Sequence, residues 1–136
     1  MLLFIGSFAL KFTQGETAPP PKEQIVPVAV RMQILNGCGV AGIAGKFKKY
    51  LGESARPEFI VDVVDERNFV SFKQEKTLLI ARKQNLEQAG KLARKLGLSE
   101  EQVAAKPLDD NLFDVEYSLV IGADYDKYLS KKVSGN

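Results

Sequence analysis

Three glycines, an asparagine and the lone cysteine cluster in one stretch, Ile34-Leu35-Asn36-Gly37-Cys38-Gly39-Val40-Ala41-Gly42-Ile43-Ala44. Gly37-x-Gly39-x-x-Gly42 is the pattern of a dinucleotide-binding turn between a strand and a helix. Its first glycine makes the turn, its second admits a pyrophosphate to the backbone, and its third brings helix and strand together. The phosphate would rest on the helix N-terminus, and Asp62 or Asp65 stands where an acid could meet the ribose. The same glycines suit a tight corner that binds nothing, with Gly37 and Gly39 at positive φ and Gly42 bringing helix close to sheet. Cys38 at a helix N-terminus could be a nucleophile, because that position lowers a thiol pKa. The chain contains no histidine to act as its base, so Cys38 reads as a small turn residue. Leu35-Asn36-Gly37-Cys38 also imitates a lipidation box, but Arg31 and Gln33 interrupt the apolar run such a box requires.

Composition narrows the chemistry further. The 136 residues make room for one ordinary domain, and 45% are hydrophobic, enough for a real core. Net charge is only +2, which supplies no basic face for nucleic acid. Without histidine the commonest general base and metal ligand are gone. One cysteine makes neither an intramolecular disulfide nor a thiolate zinc site. No metal and no cofactor is expected, and the balance favours a binding module over an enzyme.

The apolar pattern on either side of this corner gives the secondary structure. Met1 to Phe12 is mostly apolar, about half the ~20 residues of a spanning helix. It lacks the basic start of a signal peptide and reads as the end of a truncated membrane anchor. Residues 13–27 carry Ala18-Pro19-Pro20-Pro21, an extended linker composition. The domain proper is expected over 28–126, with 127–136 a polar, fraying tail. Val28, Val30, Met32 and Ile34 alternate as a strand. After the turn, Ile43, Ala44, Phe47 and Leu51 make one helical face, with Gly52 as its stop. Lys46, Lys48 and Lys49 lie mostly opposite, as a solvated face rather than a ligand patch. Phe59 to Val64 is the second strand, and a polar loop carrying Phe69 and Phe72 follows, expected to cap the core. Thr77 to Ala81 is the third strand. Leu86, Ala89, Leu92, Ala93 and Leu96 mark a second helix ended by Gly97, and Ser99 with Gln102 forms a capping box. Val103 to Ala105 is a short edge strand, and Tyr117 to Ile121 the last. The order β-α-β-β-α-(β)-β predicts an α/β (α+β) two-layer sandwich, a mixed sheet with two helices on one face.

That order works against a dinucleotide crevice, which needs two βαβ halves meeting where strand order reverses. Here the second strand leads to the third through a hairpin-like connection with no helix. If Leu35 and Ile121 lie on neighbouring strands, Asn36-Gly37 and Gly122-Ala123-Asp124 meet at their carboxyl ends. Asp124 could then accept hydrogen bonds from the glycine-turn amides. Either the pair locks the fold, or it floors a binding site together with Tyr125.

The run Val30 to Ala44, with Leu51 and a Phe-initiated second strand, resembles the opening of the LytR C-terminal domain family of bacterial cell-envelope proteins. Thr77-Leu78-Leu79-Ile80 is similar to that family's short strand, and Ala89, Leu92, Ala93, Leu96 and Gly97 to its second helix. Val120-Ile121-Gly122-Ala123-Asp124-Tyr125 resembles its closing motif. Cys38 departs from the small hydroxyl or polar residue expected there. Such domains follow the catalytic domain of LytR-CpsA-Psr proteins, which attach polymers to the cell wall, or stand alone behind a membrane anchor. The resemblance implies the second kind, with no catalytic residue carried over. It leads to the expectation of an extracytoplasmic, membrane-tethered domain that binds a wall polymer or an envelope protein. Asn36, Gly37, Gly39, Gly42, Asp124 and Tyr125 are its candidate binding or structural residues. The alternative is a small nucleotide-binding or nucleotide-sensing domain built on the Gly37-x-Gly39-x-x-Gly42 turn.

Overall fold

A computed structural model describes residues 26–134, with side chains to residue 130. The expected anchor over 1–12 and most of the linker lie outside the described residues. Among those described, no helix is long and apolar enough to cross a membrane.

Nine elements form the domain among the described residues. They are β1 (Val28–Asn36), α1 (Ile43–Ser54), β2 (Phe59–Asn68), β3 (Leu78–Ala81), α2 (Leu86–Lys95), a 3-10 turn (Glu100–Gln102), β4 (Val103–Ala105), β5 (Tyr117–Ile121) and α3 (Tyr125–Ser134). The sheet order is β2-β1-β5-β3-β4. β1 runs parallel to both β2 and β5, β3 is antiparallel to β5, and β4 is parallel to β3. The expected mixed sheet with helices on one face is present. Val30, Met32 and Ile34 of β1 and Leu119 and Ile121 of β5 turn the same way, onto Phe47 and Leu51 of α1 and Leu92 and Leu96 of the α2 segment. The opposite face carries a smaller cluster of Leu35, Ile80 and Val120, with Phe69 packed on it.

Four features differ from the sequence reading. α1 continues through Gly52 to Ser54, because the helix face is completed by Leu51 and by Ala55 just beyond it, both fully buried. A third helix occupies Tyr125–Ser134, where a fraying tail is expected. The reason is Tyr128, which is 2% exposed and packs against Phe47 with ring centroids 6.4 Å apart. Tyr128, with the half-buried Tyr125 and Leu129 beside it, supplies the apolar area that docks the helix. The connection from β2 to β3 is not hairpin-like. β2 is an edge strand, and residues 69–77 pass the ends of β1 and β5 before β3 begins. Leu86, assigned to the buried face of α2, is 56% exposed at its first position.

A bulge tunes the edge. Met32 pairs with Val63 but Gln33 pairs with Asp65, leaving Val64 as the extra residue of β2. A one-residue slip exchanges the faces of a strand, so Asp65 turns away from the helix layer and onto the open face beside Gln33.

Candidate functional site

The corner is built by Asn36, the last residue of β1. Its side-chain oxygen accepts from the amides of Cys38 (3.1 Å) and Gly39 (2.9 Å), and its amide nitrogen donates to the Val40 carbonyl at 3.0 Å. An asparagine closing on backbone two and three residues on is a turn held by its own side chain. Two of the amides that a pyrophosphate would need are thereby occupied. Cys38 is half-buried and packs against the core.

Gly39 has the expected positive φ, while Gly37, which does not, and Gly42 do different work from that expected. Gly39 and Gly42 have φ of +80° and +77°, conformations that suit glycine. Gly42, read as the packing glycine, has open space where a Cβ would stand, and Gly37 supplies the close approach instead. A Cβ on Gly37 would lie 2.8 Å from the Ile121 carbonyl oxygen and 2.9 Å from the Gln74 Cβ. These neighbours belong to β5 and to the connection from β2 to β3. That connection is stitched across the carboxyl ends of both central strands. Phe69 N donates to the Asn36 carbonyl (2.8 Å), Gln74 N to Gly37 (3.0 Å), Ala123 N to Gln74 (2.8 Å) and Asp124 N to Glu75 (3.2 Å). Gly122 is packed closer still, with its would-be Cβ 2.5 Å from the Lys76 carbonyl carbon. β1 and β5 are parallel neighbours reached by different connections, the place where a crevice could open in an α/β sheet. Here the chain itself lies across it.

Asp124 does come to this corner, but its partners are not the glycine-turn amides. One carboxylate oxygen accepts from the amide (2.9 Å) and the hydroxyl (2.7 Å) of Thr77, and the other from the Tyr128 hydroxyl at 3.2 Å. The Thr77 hydroxyl in turn accepts from Gly122 N at 3.1 Å. Gln102 joins the group by donating to the Thr77 carbonyl and to the Tyr128 oxygen, each at 2.8 Å. The start of β3, the end of β5, the first turn of α3 and the 3-10 turn are therefore tied through buried polar atoms. Burial pushes the Tyr128 hydroxyl above its ordinary pKa, against the hydrogen bond from Gln102, and the Asp124 charge adds to the rise. Thr77, Gln102 and Tyr128 were absent from the sequence reading of the site. The only signal for Tyr128 is its spacing four residues after Asp124 on a helix. Tyr125 is half-buried against the core at the first position of α3.

The acids considered for a ribose are committed elsewhere. Asp65 accepts from Gln33 at 2.7 Å and pairs with Arg67 at 2.8 Å. The row continues over the open face, where Ser118 donates to Gln33 (2.7 Å) and Arg82 to Ser118 (2.8 Å). Asp62 is exposed and 3.7 Å from Arg31. Lys48 of the lysine trio meets Glu66 at 3.7 Å, while Lys46 and Lys49 border a shallow depression with Tyr50 and Leu129. Of the two loop aromatics, Phe69 caps the small cluster as expected. Phe72 lies against Gly39, its Cβ 3.3 Å from where that residue's Cβ would stand, and remains 52% exposed next to the fully solvated Val70. Among the described residues no group of His, Cys, Asp and Glu could hold a metal.

Comparison with known proteins agrees with this architecture. Residues 29–125 match the family model described as LytR cell envelope-related transcriptional attenuator. No curated protein and no solved structure is significantly similar to the chain. Apart from Val28, the match takes in all the strands among the described residues and reaches the first residue of α3. This chain belongs to the LytR C-terminal family.

Proposed function

We propose, from membership of this family, that the chain is a non-catalytic binding domain of the bacterial cell envelope, tethered through its N-terminal segment and facing outward. Its ligand is a wall polymer or an envelope protein partner. The observation that carries the reading is the family match across residues 29–125. The corner favours binding by shape over chemistry. Asn36, Gly37, Gly39 and Gly42 hold the turn, and Asp124 holds the loop and α3 against it. On that frame Phe72 is presented to solvent beside Gly39 of the turn, with the exposed Val70 two residues before it in the same loop. Loops held by a rigid scaffold commonly carry binding residues, and Phe72 is an exposed aromatic on such a loop. The nucleotide alternative is not favoured, since Asn36 occupies amides of the turn and residues 69–77 lie across the strand ends.

Retention on purified wall sacculi tests the proposal. The folded chain should sediment with sacculi or with an envelope extract. Phe72→Ala, truncating an exposed side chain, should cut retention roughly tenfold and leave the melting temperature in place. Retention unaffected by that change would move the contact surface elsewhere. Saturable binding of NAD or ATP below millimolar concentration would revive the nucleotide reading.

A further inference from the structure

Exposed apolar side chains are unevenly placed. Of the eight large ones among the described residues, Val26, Val28, Leu86, Leu112 and Phe113 gather at the amino end of β1 and β5, away from the glycine corner. Val26 and Val28 lead into β1. Leu86 follows Ala81, which pairs with Tyr117 at the start of β5. Leu112 and Phe113 sit in the loop before β5, which is fixed to β1 by the Glu116 amide donating to the Arg31 carbonyl at 2.9 Å.

Two surfaces of opposite character meet at that end. On the helix side, Val26, Val28 and Phe59 floor a cleft of about 450 Å³ against α2, which contributes Lys91, Arg94 and Lys95. Lys95 pairs with Glu58 at 2.9 Å. No ion pair among the described residues takes up Lys91 or Arg94. Beyond the strand ends, the loop carries Asp109 and Asp110 next to Leu112, 83% exposed, and Phe113, 45% exposed. Its tip is a built turn. Asn111 bonds the Val115 backbone in both directions at 2.7 and 2.9 Å, and Asp114 holds a φ of 52° and pairs with Lys83. Arg31 donates twice to the Phe113 carbonyl, at 2.8 and 3.0 Å. Side chains presented on a loop already ordered lose little entropy on contact.

We propose that this end of the sheet is a homodimer interface, in which the acidic apolar tip of one protomer seats in the basic apolar cleft of its partner. The partner returns the contact across a two-fold axis. Self-complementarity selects the occupant. A partner of one sign would satisfy the cleft or the tip and leave the other unanswered, whereas a second copy answers both with one symmetry operation. The charges set register and encounter, and Leu112 and Phe113 supply the apolar burial. The inference is independent of the binding reading above, because the glycine corner lies at the opposite end of the strands and stays free in the dimer.

Sedimentation velocity of the full chain, from micromolar to near-millimolar concentration, tests it with two double variants, K91E/R94E and D109K/D110K. The native chain should show a reversible monomer–dimer equilibrium. Each variant alone should raise the dissociation constant at least about tenfold, and an equimolar mixture should recover association as a heterodimer. Leu112→Ser, at a site open to solvent, should weaken the dimer as well and serves if a charge variant fails to fold. A native chain that stays monomeric overturns the proposal. So does association indifferent to all three changes, as self-association of the N-terminal apolar segment would be, and so does a mixture that does not recover.

Discussion

Asp124, itself half-buried, accepts three hydrogen bonds from the buried Thr77 and Tyr128, and a carboxylate so surrounded is hard to replace. Removing it strands the amide and hydroxyl of Thr77 and frees the Tyr128 hydroxyl from one partner. An unmet buried donor costs about 1–3 kcal/mol, so Asp124→Ala should lower unfolding free energy by about 2 kcal/mol or more in urea titration. A double-mutant cycle with Thr77→Val should show coupling. Unchanged stability with lost retention on sacculi would instead make Asp124 part of the ligand surface. At this scale the sequence was partly legible. Strand neighbours and the shared strand ends could be inferred from Leu35 and Ile121, and they placed Asp124 at the corner. Its true partner could not, because Thr77 reads as the ordinary first residue of an apolar strand. Nor does the chain advertise that Asn36 has already closed the turn amides that Asp124 was expected to meet.

At the level of elements, the glycines separate into those that hold shape and those that merely occupy a helix. Gly122 faces backbone of residues 75–77 at 2.5 to 2.8 Å, and no side chain can shift to relieve a Cβ there. Gly122→Ala should therefore cost about 3 kcal/mol or prevent folding. Gly45 and Gly52 lie inside α1 with open space around them. Gly52→Ala should stabilise by about 0.4–1 kcal/mol, read as a raised melting temperature, because it restricts the unfolded chain and improves helix propensity. The sequence treated Gly52 as a stop because glycine usually ends helices. Leu51 and Ala55 packing in the core overrides that local preference. Long periodic elements, β1, α1 and α2, were readable for the same reason: their apolar spacing is set by the layer they cover. The path of residues 69–77 was not, since a loop that crosses strand ends has no periodicity, only glycines at the places it touches.

For the whole molecule, buried tyrosines make stability depend on alkaline pH. Burial, with the nearby Glu116 charge adding to it, pushes Tyr117 from its ordinary 10 up to about 12. The fold favours the neutral phenol, so the unfolded chain loses this proton first as pH rises. The contribution of Tyr117 is complete below pH 10 and is lost progressively as pH climbs toward about 12. Tyr117→Phe should leave more stability across that window than the native chain retains, judged by denaturation midpoints at a series of pH values, with Tyr128 accounting for part of the remaining slope. An equal fall in both proteins would remove Tyr117 from the account.

The strand order has a further consequence for how the chain is made. β5, with all five residues buried, lies at the centre of the sheet but is the last strand to be synthesised. Until it emerges, β1 with β2 and β3 with β4 can form only two separate parallel pairs, each with an open edge where β5 belongs. Because a growing chain folds in units as they become complete, this domain closes late and all at once. A chain cut short before Tyr117 would leave a nascent product with two sticky half-sheets, the form a quality-control protease or a chaperone would meet first.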